Sequence, residues 1–279
     1  ITGGARGIGL ALRDLLISEG HDVLTIDLSE GDVSADLSNS LGRKKAIDAI
    51  KRWAPEGLKG YIPCAGLPPV ATPIEKIPSV NFFSAVETVE SLQDLLSMDA
   101  GSALLVSSNS APMLPHDHPF VLGCLSGDEE KSIAQIRSIS DGHIAYVGSK
   151  RALAMWMRQN VVHYAKLGVR LNAIAPGITQ TDLTKQVYDD PKLGQAMKDF
   201  ERSVPSGGAT TPDKIASAMN FMLGESAQFI YGAVFFVDGG PIKLNISLVL
   251  VCYTVSKQIS KLLLNPLLVW LCFATILSI

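Results

Sequence analysis

A doubly wound α/β fold around one parallel sheet is what this sequence predicts, and three observations predict it. The chain opens on a glycine-spaced loop, Gly3, Gly7 and Gly9, set directly before an apolar helical stretch. Short apolar runs then alternate with stretches of helical period, the signature of βαβ units. A length of 279 residues, 47% hydrophobic and 18% charged, suffices for one large core rather than two.

Each element follows in order. Residues 10–19 put Ala11, Leu12, Leu15 and Leu16 on one stripe and stop at Gly20, a helix with a glycine end. Residues 22–26 read as a strand closed by Asp27, and a short strand at 33–36 leads into a helix at 43–53. Further strands are expected at 60–64, 102–107, 169–174 and 233–237, with helices at 81–96, 145–167 and 213–223. Residues 110–142 and 179–208 lack either period and are expected to be long loops, functional or mobile. The strand that should feed the glycine loop is reduced to Ile1 and Thr2, which reads as a truncation. Pro63 falls in a neighbouring strand, where a missing N–H disfavours a central position.

Composition bounds the partners. Net charge is −3 and no basic run exceeds Gly42-Arg43-Lys44-Lys45, which excludes a nucleic-acid footprint and leaves a small-molecule substrate. The four cysteines have no C-x-x-C spacing and no secretory signal precedes them, so a reduced, cytoplasmic protein is expected. His116-x-His118 lacks a ligand set, and no metal is expected. Character changes near Leu244, so the chain divides into a domain at 1–240 and a hydrophobic extension at 241–279. The uncharged run 262–279 is open to three readings: a membrane anchor, a packed extension, or a stretch foreign to the parent gene. Asn245-Ile246-Ser247 is an incidental glycosylation sequon.

The loop from Gly3 through Arg6, Gly7, Ile8 and Gly9 lets the backbone turn tightly and aims helix N-terminal N–H groups at a pyrophosphate. Asp27, at the end of the next strand, suits the adenosine ribose hydroxyls and repels a 2′-phosphate, favouring NAD over NADP; Arg6 argues mildly the other way. Asp36 and Leu37 follow the next strand and are placed to border the adenine. Tyr146 and Lys150, one helical turn apart, put an ammonium beside a phenol and would lower its pKa, making the tyrosine an acid or base near neutrality.

Taken together these residues resemble the short-chain dehydrogenase/reductase family over about residues 1–240. The resemblance rests on Thr2-Gly3-x-x-x-Gly7-Ile8-Gly9, Cys64-Ala65-Gly66, Asn81, Ser107-Ser108, Tyr146-x-x-x-Lys150, Arg170-Leu171-Asn172 through Ala175-Pro176-Gly177, and Val237-Asp238-Gly239-Gly240. Ala35-Asp36-Leu37-Ser38, the run from Gly42 to Ile47 and the long gap between Ser108 and Tyr146 look most like its bacterial 3α-hydroxysteroid dehydrogenase/carbonyl reductase branch. The resemblance implies a Rossmann-like three-layer sandwich whose first strand is largely missing here, leaving its neighbours without a shared ladder partner. It implies Tyr146 as general acid or base, Ser108 as hydrogen-bond donor to the same substrate oxygen, Lys150 on the nicotinamide ribose, and Asn81 positioning a relay water. Ser107 competes with Ser108 by strand alternation, and Asn81 competes with a plain N-cap. Ala65 and Gly66, then Pro176, Ile178, Thr179 and Thr181, would complete the cofactor site, and residues 183–205 would form a lid over an apolar alcohol or ketone. A homo-oligomer is expected on the same ground. The rival expectation is a non-catalytic or incomplete relative, tethered to a membrane if the terminal run is an anchor.

Overall fold

The structure, a computed structural model, describes residues 1–240. Its first half runs α1 (Gly7–Ser18), β1 (Ile26–Asp27), β2 (Val33–Ser34), α2 (Ser40–Trp53), β3 (Gly60–Tyr61) and a single turn, α3 (Lys76–Pro78). A π-helical turn at Ser79–Phe83 then leads into α4 (Ser84–Ser91), α5 (Gln93–Met98) and β4 (Ser102–Val106). Beyond these come α6 (Pro119–Leu125), α7 (Glu129–Ile139), the long α8 (Gly142–Lys166), β5 (Arg170–Pro176), α9 (Asp182–Asp189), α10 (Gly194–Arg202), α11 (Pro212–Leu223) and β6 (Val234–Val237).

Every residue of β4 and β5 is buried, as parallel strands covered on both faces require. The main sheet is parallel throughout, in the order β3-β4-β5-β6. Alternation along β4 sends Ala103 and Leu105 to one core, with Ala46, Phe82, Ala152 and Leu153, and Leu104 and Val106 to a second, with Leu12, Ile215 and Met219. Helices therefore cover both faces, α2, α4 and α8 on one and α1 and α11 on the other, and the three-layer α/β architecture expected from sequence is present.

Thr2 joins the main sheet to the separate β1-β2 pair. It bridges Ile26 on one side and Pro63 on the other, both in parallel. The N–H of Ile26 donates to the Ile1 carbonyl (2.9 Å), Gly3 to Ile26 (2.7 Å), Thr2 to Ile62 (3.0 Å) and Cys64 to Thr2 (3.2 Å). The neighbours expected to lack a shared ladder partner thus have one, three residues long. The strand expected at 22–26 is regular only at Ile26–Asp27, although the Leu24 carbonyl accepts from the Ile1 amine (2.8 Å) and the Thr25 carbonyl from the Val33 N–H (3.0 Å). Pro63 is accommodated by the same register: Ile62 and Cys64 turn their ladder groups toward Thr2, so the missing donor of Pro63 faces β4, and the β3–β4 ladder ends at Tyr61.

Three expectations need correction. Residues 110–142 are not a loop but carry a 3₁₀ turn (Ala111–Met113), α6 and α7, and residues 179–208 carry α9 and α10. The helix expected at 81–96 divides into the π turn, α4 and α5. Apart from α7, the pieces are shorter than the window over which a helical period registers. Among the described residues no helix is long and apolar enough to cross a membrane. The run 262–279, the sequon at Asn245 and the whole extension 241–279 lie outside the described residues.

Candidate active site

The site assembles at the C-terminal ends of the strands, the edge at which open parallel sheets bind ligands. Asp141 starts α8, its Oδ1 accepting from the N–H groups of His143 (2.8 Å) and Ile144 (3.0 Å). One turn on, Tyr146 and Lys150 share a face of that helix. Gly148 between them lets α6 close in, since a Cβ there would sit 2.5 Å from the Phe120 ring.

Both serines leave the end of β4, and they part company. Ser107 Oγ donates to the Lys150 carbonyl (2.9 Å), fastening strand to helix. Ser108 lies beside the Tyr146 phenol, and its Oγ shares a 2.9 Å hydrogen bond with Ser110 Oγ. Burial pushes the phenol of Tyr146 above its ordinary value, and the neighbouring Ser108 hydroxyl opposes that rise. Lys150, 5% exposed, donates from Nζ to the Val106 carbonyl (2.7 Å), and burial lowers its pKa from 10.5 to about 8. The ammonium is thus turned to a strand carbonyl, and desolvation prevails at the phenol.

Asn81 is no N-cap. It sits inside the π turn, where its Oδ1 accepts from the Leu67 N–H (2.7 Å) and its Nδ2 donates to the Leu67 carbonyl (3.0 Å). π turns recur at functional sites because they re-aim side chains along a helix. A Cβ on Gly66 would lie 3.4 Å from Asn81 Oδ1 and 3.7 Å from Lys150 Nζ, so amide and ammonium border one space above that glycine. The neighbouring Ala65 is held by its N–H donating to Thr2 Oγ1 (3.2 Å).

The glycine loop fits a dinucleotide phosphate. Gly3 has φ +67°, and a Cβ there would fall 2.7 Å from Ala65 Cα; a Cβ on Gly9 would run into the Gly3 carbonyl. Arg6, the residue before α1, supplies no side-chain cap, so the first-turn N–H groups remain for an anion; Ile8 packs into the second core. Asp27 lies at the rim of this loop, Oδ2 accepting from the Ala5 N–H (3.1 Å) and Oδ1 from that of Leu28 (2.7 Å). The Arg6 side chain instead reaches Glu30 on the surface at 3.9 Å. Asp36 accepts from the Ser38 N–H (2.9 Å); the Ser38 hydroxyl foremost, then that N–H and Lys76 at 3.7 Å, hold its carboxyl below the usual range, and Leu37 is buried beside it.

From the end of β5, Pro176 leads to buried Ile178 and to Thr179, whose Oγ1 donates to the Gly177 carbonyl (3.0 Å). Thr181 caps α9 by accepting from the Thr184 N–H (3.2 Å), and its Cγ2 lies 3.2 Å from the point a Cβ on Gly7 would occupy. That approach closes the ring between the two halves of the cofactor site. The expected lid is the pair α9 and α10, clasped where the Tyr188 hydroxyl donates to Glu201. A cavity of about 480 Å³ beside it is lined by residues that include Gln180, Thr181, Lys185, Tyr188 and Glu201. Of the apolar lid residues, Leu183, Tyr188, Leu193, Met197 and Phe200 are half-buried, and Val187 and Val204 are buried.

Two residues escaped the sequence reading. Ser110 supports Ser108, and only its position two residues on hints at this. Arg43 belongs to the basic run Gly42-Arg43-Lys44-Lys45, yet it lies on the stripe of Ala46, Ile47 and Ile50 and is buried; a charge on an apolar stripe is the available signal. Among the described residues no cluster of side chains is arranged to hold a metal ion.

A phosphate-ready glycine loop and a Ser-Tyr-Lys cluster on one sheet edge define a nicotinamide-dependent oxidoreductase, and this chain belongs to the short-chain dehydrogenase/reductase family. A family model described as enoyl-(acyl carrier protein) reductase matches residues 90–241. The 3α-hydroxysteroid dehydrogenase/carbonyl reductase of Comamonas testosteroni is 35% identical over 244 residues, 86% of this chain and 94% of that one. The crystal structure of the 3α-hydroxysteroid dehydrogenase from Pseudomonas sp. B-0831, complexed with NADH, superposes with a TM-score of 0.83 at 38% identity, covering 86% of this chain and 94% of that one. An NAD-dependent glycerol dehydrogenase of Listeria innocua is 25% identical over 260 residues, 86% of this chain and 91% of that one.

Proposed function

We propose that the protein is an NAD-dependent dehydrogenase/reductase that interconverts a hydrophobic secondary alcohol of the hydroxysteroid class and its ketone, with Tyr146 as the acid or base. The observation that carries this reading is the Tyr146 phenol beside Ser108 at the end of β4, with the buried Lys150 ammonium one helical turn away. The nicotinamide would supply the hydride for reduction or accept it in oxidation. Tyr146, kept protonated by its burial, donates a proton to the substrate oxygen as charge develops there, while Ser108 gives that oxygen a hydrogen bond. Oxidation runs the same path backwards and needs the phenolate, which burial disfavours, so the desolvated site on its own leans toward reduction.

Asp27 at the rim of the glycine loop supports NAD, since a carboxylate there accepts ribose hydroxyls and repels a 2′-phosphate. The NADH bound by the Pseudomonas relative agrees with that choice. The substrate class rests on the names of the Comamonas and Pseudomonas relatives and on the expected lid, whose apolar residues would meet a ligand once α9 and α10 part. Free Cys64 and Cys124 support a reducing, cytoplasmic setting, and the exposed aromatic edge at β6 supports a homo-oligomer.

Calorimetric titration with NADH and NADPH, followed by a steroid ketone turnover assay with Tyr146→Phe as control, tests the reading. NADH is expected to bind more tightly, and the substitution to lower turnover by about 10²- to 10⁴-fold with NADH affinity kept. Tighter NADPH binding would overturn the cofactor assignment, and undiminished turnover the role of Tyr146.

A further inference from the structure

Helix α2 carries one side chain that the proposed reaction does not use. Arg43 is 3% exposed, and its guanidinium reaches four separate segments. Nε donates to the Leu37 carbonyl (2.8 Å) and Nη2 to the Ser79 carbonyl (3.1 Å). Glu129, the first residue of α7, takes Nη1 and Nη2 in a bidentate pair at 2.7 Å each, and Glu87 on α4 takes Nη1 at 3.1 Å.

These contacts lie at informative places. Leu37 follows Asp36 in the loop assigned to the adenine side, and Ser79 opens the π turn that carries Asn81. Glu129 belongs to the helical segment between Ser110 and Gly142, so that segment is pinned to the same cation. Burial alone would depress the basicity of this arginine, yet Glu129 and Glu87 more than compensate, and it remains a fixed charge. A buried ion pair is a weak way to gain stability compared with apolar packing of similar volume. A planar fork, however, can fix two backbone carbonyls and a carboxylate in one geometry, which an apolar side chain or a lysine cannot.

We propose that Arg43 is a positioning residue for the reaction, holding the adenine-side loop at Leu37 in fixed relation to the turn that carries Asn81, with α7 clamped over it through Glu129. The inference rests on the NAD-dependent reading made under Proposed function, and on the family resemblance that sets Asp36-Leu37 beside the adenine and Asn81 at a relay water. Arg43→Lys keeps a charge but cannot span both carbonyls. It is expected to weaken NADH binding and lower kcat by about tenfold each, the size of one lost charge-assisted hydrogen bond.

Coupling separates positioning from mere support. In an Asn81→Ala background the loss of kcat from Arg43→Lys is expected to shrink to near nothing, because the residue acts through Asn81. Losses that multiply independently, or an Arg43→Lys variant that melts earlier but binds NADH and turns over normally, overturn the proposal. Hydrogen exchange on the unaltered chain gives a readout free of folding defects. ADP-ribose, which lacks the nicotinamide, is expected to slow exchange at residues 79–83 and 129–132, and unchanged exchange there also overturns it. An unaltered chain that neither binds NADH nor turns over a ketone instead sinks the dehydrogenase reading itself, a failure distinct from loss of coupling.

Discussion

At the scale of single residues, the site is a set of polar groups withdrawn from water and given partners that only partly compensate. Tyr146 and Lys150 move in opposite directions for one reason: desolvation disfavours the phenolate in one case and the ammonium in the other. Lys150 therefore leaves a mark on stability. Its folded pKa, about 8, lies below its ordinary 10.5, so between those values the unfolded chain binds more protons than the native one. Stability from this group accordingly rises with pH across that window, and its penalty is largest below about 8, where the buried amine must be charged. Lys150→Met removes the titrating group while keeping the stem. The melting temperature of the unaltered chain minus that of the variant is expected to increase from pH 8 to 10.5, measured by calorimetry at matched ionic strength. A difference that stays flat across this range would show that the ammonium is not desolvated as the structure has it.

At the scale of elements, the catalytic helix is held from several sides. Asp141 fixes where α8 begins, Ser107 fastens it to β4 through the Lys150 carbonyl, and α6 presses on it at Gly148. The last contact makes a sharp prediction. Alanine at position 148 would gain about 1 kcal/mol of helix propensity over glycine. Its Cβ, however, would stand 2.5 Å from Cδ1 of Phe120, a fully buried ring with no room to swing, and 3.1 Å from Leu114. Overpacking of this kind is unfavourable by about 1–3 kcal/mol, so it outweighs the propensity gain. Gly148→Ala is expected to lower the melting temperature and to reduce kcat, because relief requires α8 to shift between Tyr146 and Lys150. A variant as stable and as active as the parent would mean that α6 yields instead. The sequence could not show this constraint: α6 and α7 are short, open on Pro119 and Glu129, and bury too few residues to register a period. The motif residues were legible because Tyr-x-x-x-Lys and the glycine spacing are local, set by helix geometry and by loop sterics within a few positions. What Lys150 bonds to was not local, since Val106 comes from a strand far away in sequence.

At the scale of the whole molecule, the doubly wound sheet was readable from the alternation of apolar runs and helical stripes, but the junction at its centre was not. Whether three residues suffice to join two sheets, and on which side Pro63 lacks its donor, depends on register across three strands at once. The same sheet raises a question at its other end. Among the described residues β6 pairs only with β5, and its outer side carries exposed aromatic groups. Phe229 is 98% exposed, Phe221, Tyr231 and Phe235 are about 40% exposed, and the rings of Phe221 and Phe235 lie 6.4 Å apart. An open strand edge bordered by aromatic side chains is an association hazard unless something covers it. A second copy of the chain meets that need in the homo-oligomer proposed above, since an edge strand with α11 beside it can pair with itself about a twofold axis. Light scattering after gel filtration is expected to give a dimer or larger for the unaltered chain. Phe229→Ser combined with Phe235→Ser is expected to shift it toward monomer with NADH affinity unchanged, because neither residue belongs to the cofactor site. An unaltered chain that stays monomeric at micromolar concentration would refute self-association, and variants that keep their size would move the interface to another face.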